Sequence, residues 1–159
     1  MPTAADRGNP RIMHTLYQIT DAPLDPERLR AAIADPRSGA VATFVGVARN
    51  SFAGKEVLHL EYEAYGPMAE LQMREIGTEI AQRWPAVTGV AIAHRVGRVE
   101  IGEASVALAV SAPHRGEALA ACAHAIESLK ATLPVWKKEV FADGSVWREN
   151  TGEDFRQRG

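Results

Sequence analysis

The pattern of apolar and polar residues along the chain predicts short strands that alternate with three amphipathic helices. Residues 15–20 have the character of a short strand, and residues 39–50 are so continuously apolar that we expect a buried strand ending at Arg49. In residues 56–64 apolar and polar side chains alternate, which is typical of a half-buried strand. The residues expected to face inward there are Leu58, Leu60 and Tyr62.

Three segments have the spacing of amphipathic helices. The first follows Asp25 and Pro26, which suit the N-cap and the first helical position. The second ends before Pro85, and its apolar stripe consists of Ala69, Met73, Ile76 and Ile80. The third ends before Pro134, and its stripe is expected to consist of Leu119, Cys122, Ile126 and Leu129.

The remaining segments complete an α+β pattern. Residues 87–99 and 105–110 are predicted strands, and residues 136–149 are typical of a closing hairpin. The order strand–helix–strands–helix–strands–helix–hairpin favours helices packed on a mostly antiparallel sheet. We expect residues 1–13 to form a loose tail and residues 14–159 to form one domain.

Composition narrows the classes of function. The chain has 159 residues and a formal net charge of -2, which argues against a general nucleic-acid binder. No apolar run approaches the ~18 residues that a membrane span needs. The first residues lack the apolar core of a signal peptide, so we expect a cytoplasmic protein.

The residues that commonly hold metals or cofactors are sparse. The single cysteine, Cys122, excludes an internal disulfide and falls on a helical stripe, which favours a small buried thiol over a nucleophile. The five histidines are scattered, and the sequence has neither a P-loop nor a G-x-G-x-x-G motif. We therefore expect no metal and no other cofactor.

Lysines are concentrated in one stretch, "SLKATLPVWKKE". Only four of the 18 lysines and arginines are lysines, and three of them lie at positions 130, 137 and 138. Helical spacing places Lys130 at the edge of the buried stripe, and strand alternation sends Lys137 and Lys138 to opposite faces. A desolvated amine close to other cations can act as an acid, a base or a nucleophile. The alternative is that these lysines only complement a helix C-terminus and cover an edge strand.

Two further segments contain candidate anion-binding residues. "SAPHRGEA" joins a strand to a helix and offers free backbone N–H groups beside His114 and Arg115, which suits a phosphate, although an ordinary polar loop is the alternative. One helix separates these residues from Lys130 by ~24 Å, so one chain cannot easily use both in one small-molecule site, and a homodimer would bring them together. Arg49 ends a strand, a common place for ligand-binding groups, although an ordinary surface arginine is the alternative. The His-Arg pair in "AHRVGRVEIGE" is interpreted as part of a turn with solvated arginines.

The motifs "GAVATFVGVARN", "LEYEAYGPMAE", "AHRVGRVEIGE", "SAPHRGEA" and "LKATLPVWKKE" occur in this order over residues 39–139. Together they resemble the MoaE family, the large, catalytic subunits of molybdopterin synthase. The resemblance implies an α/β-hammerhead fold and a homodimer within a heterotetramer. Its partner would be a small ubiquitin-like sulfur-carrier subunit with a C-terminal Gly-Gly thiocarboxylate.

The resemblance also implies an activity: a sulfurtransferase that moves sulfur from the thiocarboxylate to cyclic pyranopterin monophosphate and forms the molybdopterin dithiolene. Lys130 and Lys137 correspond to the functional lysines of the family. The residues that it assigns to substrate binding are Arg49, His114, Arg115, Lys138 and Glu139, with His114 and Arg115 supplied by the neighbouring subunit. A non-catalytic anion-binding or regulatory dimer on the same scaffold is the alternative.

Overall fold

The computed structural model of the protein describes residues 12–149, which form three helices and nine strands. The helices are α1 Pro26–Ala32, α2 Gly66–Arg83 and α3 Arg115–Thr132. The strands are β1 His14–Thr20, β2 Ala40–Val47, β3 Ser51–Phe52, β4 Lys55–Ala64, β5 Gly89–Arg95, β6 Gly97–Glu100, β7 Ala104–Ala112, β8 Val135–Phe141 and β9 Gly144–Glu149. The predicted α+β class is confirmed.

The first sheet has the strand order β1-β5-β7-β2 and separates two apolar layers. Strands β1 and β5 are parallel, whereas the other pairs in this sheet are antiparallel. Large residues such as Ile92 and Leu108 face α2 and α3, whereas Ala91 and Ala107 face the short helix α1. Small side chains on one face therefore allow α1 to lie close to the sheet, while the main core fills the other face.

The second sheet is built around β4. This strand pairs with β8 along most of its length, and its other edge pairs with β3 and then with β6. Strands β8 and β9 form the predicted closing hairpin. The register places Tyr62 opposite Lys137 and Leu60 opposite Glu139, so these four residues share one face of the sheet.

Local sequence signals explain the helix boundaries. The carboxylate of Asp25 accepts hydrogen bonds from the backbone N–H groups of Glu27 and Arg28, at 3.0 and 3.4 Å, as expected of an N-cap. The predicted stripe of α2, from Ala69 to Ile80, is fully buried. Helix α2 ends at Arg83, before Pro85.

Helix α2 approaches β1 closely at one glycine. A Cβ atom at Gly77 would overlap the hydroxyl of Tyr17, so glycine is the residue that permits this contact. Tyr17 belongs to β1 and packs against the main core. Burial raises the pKa of the Tyr17 phenol, and the nearby Arg74 partly offsets this increase.

Three predictions of burial are wrong, each for a packing reason. The strand predicted over residues 39–50 ends at Val47 and lies at a sheet edge, so alternate residues are exposed. Leu58 is 45% exposed because a bulge between Val57 and His59 shifts the register. Leu119 is 61% exposed, because α3 turns its alanines rather than this residue toward the sheet.

The predicted tail falls mostly outside the described residues, which begin at Ile12. Met13, its last residue, packs against the main core. Across residues 12–149, no helix combines the length and the apolar character that a membrane crossing requires.

Candidate active site

A cavity of about 400 Å³ opens between the two sheets, beside the C-terminal end of α3. Its walls come from β2 and β7 of the first sheet, from β3, β4 and β8 of the second, and from α3. The lining residues are Phe44, Gly46, Val47, Arg49, Ser51, Phe52, Val57, Leu60, Tyr62, Ser105, Val106, Lys130, Lys137 and Glu139. The lining thus combines apolar walls with a few charged groups, which is typical of a small-molecule site.

Four of the lining residues are charged, namely Arg49, Lys130, Lys137 and Glu139. The Nζ atom of Lys137 lies 3.3 Å from Oε1 of Glu139, and both side chains are largely buried. Three cations therefore face one carboxylate, and the lining has a net positive charge. Such a cavity favours an anionic ligand, because charges that are partly shielded from solvent are screened less than charges at the surface.

Strand alternation decides which lysine of β8 enters the cavity. Lys137 and Glu139 lie on the inner face of β8, whereas Lys138 lies on the outer face. There the Nζ atom of Lys138 pairs with Oε2 of Glu61 at 3.2 Å. The hydrogen bond from Lys138 lowers the pKa of Glu61. The structure thus separates Lys138 from the other lysines that the sequence grouped together.

Lys130 and Arg49 reach the cavity from the ends of their elements. Lys130 lies in the last turn of α3, and the cap residue Leu133 continues directly into β8. Arg49 follows β2, beyond the buried residue Ala48. Ala48 is held by two backbone hydrogen bonds to the segment before β7, from its N–H to the Glu103 carbonyl at 3.0 Å and from the N–H of Gly102 to its own carbonyl at 2.9 Å.

Aromatic side chains form much of the apolar wall. Phe44, Phe52 and Tyr62 come from three different strands. Such rings can contact the faces or edges of a flat heteroaromatic ligand. The cavity therefore offers both aromatic surface and positive charge to a ligand.

The predicted anion-binding residues His114 and Arg115 lie elsewhere. His114 is the N-cap residue of α3 and Arg115 is its first residue, at the end of the helix opposite Lys130. Both are exposed, and neither lines the cavity. The structure thus brings together Arg49, Lys130, Lys137 and Glu139 and leaves out His114, Arg115 and Lys138. The functional roles of all seven residues stay predictions.

The interpretation of "AHRVGRVEIGE" as a turn with solvated arginines is wrong for the His-Arg pair at its start. His94 and Arg95 lie on β5, and His94 is 1% exposed. The guanidinium of Arg95 donates to Oε2 of Glu103 at 2.7 Å and lowers the pKa of that carboxyl. Arg98 is exposed, as predicted. The signal was present in the sequence, because His94 continues the alternation of Val90 and Ile92.

The remaining nucleophilic candidate is not part of the site. Cys122 is buried in α3, as predicted, and burial raises the pKa of its thiol to about 11. Within residues 12–149, no group of three or more histidine, cysteine, aspartate or glutamate side chains is arranged to hold a metal ion.

Comparison with known proteins places the chain among related enzymes. The family model described as "MoaE protein" matches residues 19–132. The molybdopterin synthase catalytic subunit of Taeniopygia guttata is 51% identical over 118 residues, which are 74% of this chain and 76% of the relative. The catalytic subunit of Homo sapiens is 45% identical over 135 residues, or 85% and 71% of the two chains. The crystal structure of molybdopterin synthase from Staphylococcus aureus is similar with a TM-score of 0.80 at 41% identity, covering 83% of this chain and 96% of that one.

Proposed function

The chain belongs to the MoaE family, whose curated relatives are enzymes of molybdenum cofactor biosynthesis, and we propose that it catalyses sulfur transfer. The sulfur donor would be the C-terminal thiocarboxylate of a small subunit, and the acceptor would be cyclic pyranopterin monophosphate. The observation that carries this proposal is the convergence of Arg49, Lys130 and Lys137 in one cavity. The cytoplasm is the proposed location.

The net positive charge of the cavity matches the proposed reactants. A thiocarboxylate and a pterin phosphate are both anions and repel each other in solution. Positive charge placed between them reduces this repulsion and allows their reacting atoms to approach. The aromatic wall offers apolar surface to the ring system of the pterin.

The lysines have distinct proposed roles. Lys130 contacts the carbonyl oxygen of the thiocarboxylate and stabilises the negative charge that develops there as sulfur leaves. Lys137 acts as an acid/base or electrostatic partner, and Glu139 holds its amine at 3.3 Å. In each transfer the sulfur of one thiocarboxylate forms a C–S bond to the acceptor, and a water oxygen replaces it on the donor as the donor C–S bond breaks, which returns the donor C-terminus as a carboxylate. Two donors are therefore needed for one dithiolene.

A second protomer would complete the site. His114 and Arg115 lie at the other end of α3 from Lys130, so one chain cannot easily direct all three to one small ligand. We assign His114 and Arg115 to the phosphate of a substrate bound in the partner's cavity. In the complete assembly, a small subunit would bind to each protomer of the dimer and insert its C-terminus into the cavity.

The test is a sulfur-transfer assay with purified precursor and thiocarboxylated small subunit, read by mass spectrometry of the dithiolene product. We expect Lys130→Ala to lower the rate of product formation by about a hundredfold or more, because the developing charge loses its partner. Lys130→Arg should also be impaired, since a planar guanidinium cannot place its charge where the compact ammonium group of lysine lies.

Lys55→Ala is the matched control, because Lys55 is an exposed lysine that pairs with Asp143 outside the cavity. It should retain wild-type activity. Full activity of folded Lys130→Ala would refute the role of Lys130, and absence of product from the wild-type protein would refute the proposed reaction.

A further inference from the structure

The backbone that precedes Arg49 is held by a glutamate outside the cavity. Glu103 lies between β6 and β7 and does not line the cavity. Its carbonyl oxygen accepts a hydrogen bond at 3.0 Å from the N–H of Ala48, the residue before Arg49. The neighbouring Gly102 donates its N–H to the Ala48 carbonyl at 2.9 Å. Both backbone polar groups of Ala48 are therefore bound to the turn that contains Glu103.

The side chain of Glu103 holds this turn in place. Its Oε1 atom accepts from the backbone N–H of Glu100 at 2.9 Å, and its own N–H donates to the Glu100 carbonyl at 3.0 Å. Its Oε2 atom accepts from Nη1 of Arg95 at 2.7 Å. Together with the bond from Ala48, these contacts join the end of β5, the turn after β6 and the segment after β2 at one residue.

The ion pair between Arg95 and Glu103 is a poor device for stability alone. The Arg95 side chain is 11% exposed, and its buried Nε atom has no hydrogen-bond partner within residues 12–149. An unsatisfied N–H on a buried charge costs free energy that an apolar pair of similar size would avoid. The bonds from Arg95 and from the Glu100 N–H lower the pKa of Glu103. The carboxylate is therefore ionised at neutral pH, and donors from two elements fix its direction.

Arg49 depends on this support because it lies beyond the regular part of its strand. The ladder between β2 and β7 shifts between Gly46 and Val47 and ends with Val47 opposite Ala104. Beyond it, the backbone bonds of Ala48 to the turn hold the chain. A small rotation of the backbone moves the end of a long side chain several times further than its Cα, and misplacing a binding group by about 1 Å can cost about a hundredfold in rate.

We propose that Glu103, together with Arg95, is a positioning residue for Arg49. The ion pair fixes the turn after β6, the turn fixes the backbone of Ala48, and the Arg49 guanidinium is thereby directed toward an anionic ligand in the cavity. Neither Glu103 nor Arg95 lines the cavity. This inference rests on the proposed function, because Arg49 supplies there part of the positive charge that binds the reactants.

The test compares two variants with the wild-type protein. Glu103→Ala removes both side-chain bonds, whereas Arg95→Lys keeps the charge on a shorter and more flexible donor. Arg37→Ala is the matched control, because Arg37 pairs with the buried carboxylate of Asp35 at 2.6 Å and neither residue lines the cavity. Thermal unfolding establishes that each variant is folded, and Arg95→Lys is used for the same comparison if Glu103→Ala does not fold.

The first readout is amide hydrogen exchange measured by NMR, which needs no turnover. The Ala48 amide reports its bond to Glu103, and the Gly39 amide, bonded to the Ala112 carbonyl at 3.1 Å at the other end of the β2–β7 pair, is the internal reference. In Glu103→Ala we expect exchange at Ala48 to be about tenfold faster or more, with Gly39 unchanged.

The order parameter of the Arg49 Nε–H, from relaxation in the same samples, should fall in Glu103→Ala, because the side chain is no longer held in one direction. Arg95→Lys should show a smaller change in both measurements. Arg37→Ala should leave Ala48 and Arg49 as they are in the wild-type protein.

The second readout is the steady-state rate of sulfur transfer. In Glu103→Ala we expect KM for the pterin substrate to rise about tenfold or more, with KM for the small subunit nearly unchanged, because one binding group for the pterin is misplaced. A double-mutant cycle with Arg49→Ala tests the route of this effect. If Glu103 acts through Arg49, Glu103→Ala should add little to the loss that Arg49→Ala causes alone.

Unchanged exchange at Ala48, or exchange that rises equally at Ala48 and Gly39, would overturn the proposal, and so would additive effects of Glu103→Ala and Arg49→Ala. The exchange and relaxation measurements also separate this inference from the proposed reaction. Absence of product from the wild-type protein, with faster exchange confined to Ala48 and a more mobile Arg49 side chain, would refute the reaction and leave the positioning of Arg49 by Glu103 standing.

Discussion

At the scale of single residues, two adjacent lysines have different environments. The side chain of Lys137 is 12% exposed inside the cavity, whereas that of Lys138 is 28% exposed on the outer face of the sheet. The alternation of a strand suffices to predict that they separate. It does not predict which one faces inward, because that choice depends on the pairing of β8 with β4, a strand far away in the sequence.

The sequence identifies the charged residues that line the cavity, but it does not predict the burial of His94. Lys130, Lys137, Glu139 and Arg49 were all candidates from the sequence, and the structure places them on one lining. His94 was misinterpreted because its neighbours Arg95, Gly97 and Arg98 are typical of an exposed turn. The alternation of Val90, Ile92 and His94 places the three side chains on one face of β5, but the burial of that face depends on the central position of β5 in the sheet, which a local pattern does not contain.

His94 also makes the stability of the fold sensitive to acid. Its pKa is about 4 in the folded protein and 6.5 in the unfolded chain. Between these two pH values the imidazole is protonated in the unfolded state but stays neutral in the folded state. The contribution of His94 to the free energy of unfolding is therefore fully present above pH 6.5 and is lost as the pH falls toward 4. We expect the wild-type protein to lose about 2 kcal/mol more than His94→Phe between pH 7 and pH 5.

Urea unfolding of both proteins at the two pH values measures this difference. The comparison isolates His94, because every other titrating group is present in both proteins. Parallel losses of stability in the two proteins would contradict the assignment of the buried ring as neutral.

At the scale of elements, the sequence predicts helices better than strand environments. The stripe of α2 and the cap at Asp25 are local features, and both are confirmed. Strand β2 is apolar along its length, but whether it is central or at an edge depends on the strand order of the whole sheet. The prediction that Leu119 is buried is wrong for a related reason. Whether α3 contacts the sheet through its alanines or through a leucine depends on how close the sheet lies.

The contact between α2 and β1 gives a prediction at this scale. Gly77→Ala places a methyl group where the hydroxyl of Tyr17 lies, so the helix or the tyrosine must move. We expect a loss of about 1–3 kcal/mol in the free energy of unfolding, measured by chemical denaturation.

Gly66→Ala is the control for this substitution. Gly66 lies at the start of the same helix, and a Cβ atom there meets nothing within 4 Å. Its stability should be unchanged or slightly higher, since alanine favours the helix. Equal effects of the two substitutions would show that the close approach at Gly77 is unimportant.

At the scale of the whole molecule, the placement of Lys130 and Arg115 at opposite ends of α3 gives a test of the proposed dimer. If each site uses Lys130 of one chain and Arg115 of the other, Lys130→Ala and Arg115→Ala chains should each be nearly inactive. Co-expressed, they form mixed dimers with one intact site. We expect activity to return to about a quarter of the wild-type value, because half of the dimers are mixed and each has one working site of two.

The sulfur-transfer assay on the purified mixture measures this recovery. Chains that carry both substitutions, co-expressed with either single variant, serve as the control and should stay inactive. A mixture no more active than its components would mean that Arg115 does not act across a dimer.

The way in which the cavity is enclosed has a consequence for its assembly during synthesis. Its walls come from segments between Phe44 and Glu139, and β8, the last of these to be translated, supplies two of its four charged groups. A nascent chain that has not reached β8 has no Lys137 amine and no Glu139 carboxylate to offer. Half of the charged groups of the cavity are therefore added with its last wall, after the segments that carry Arg49 and Lys130 have been translated.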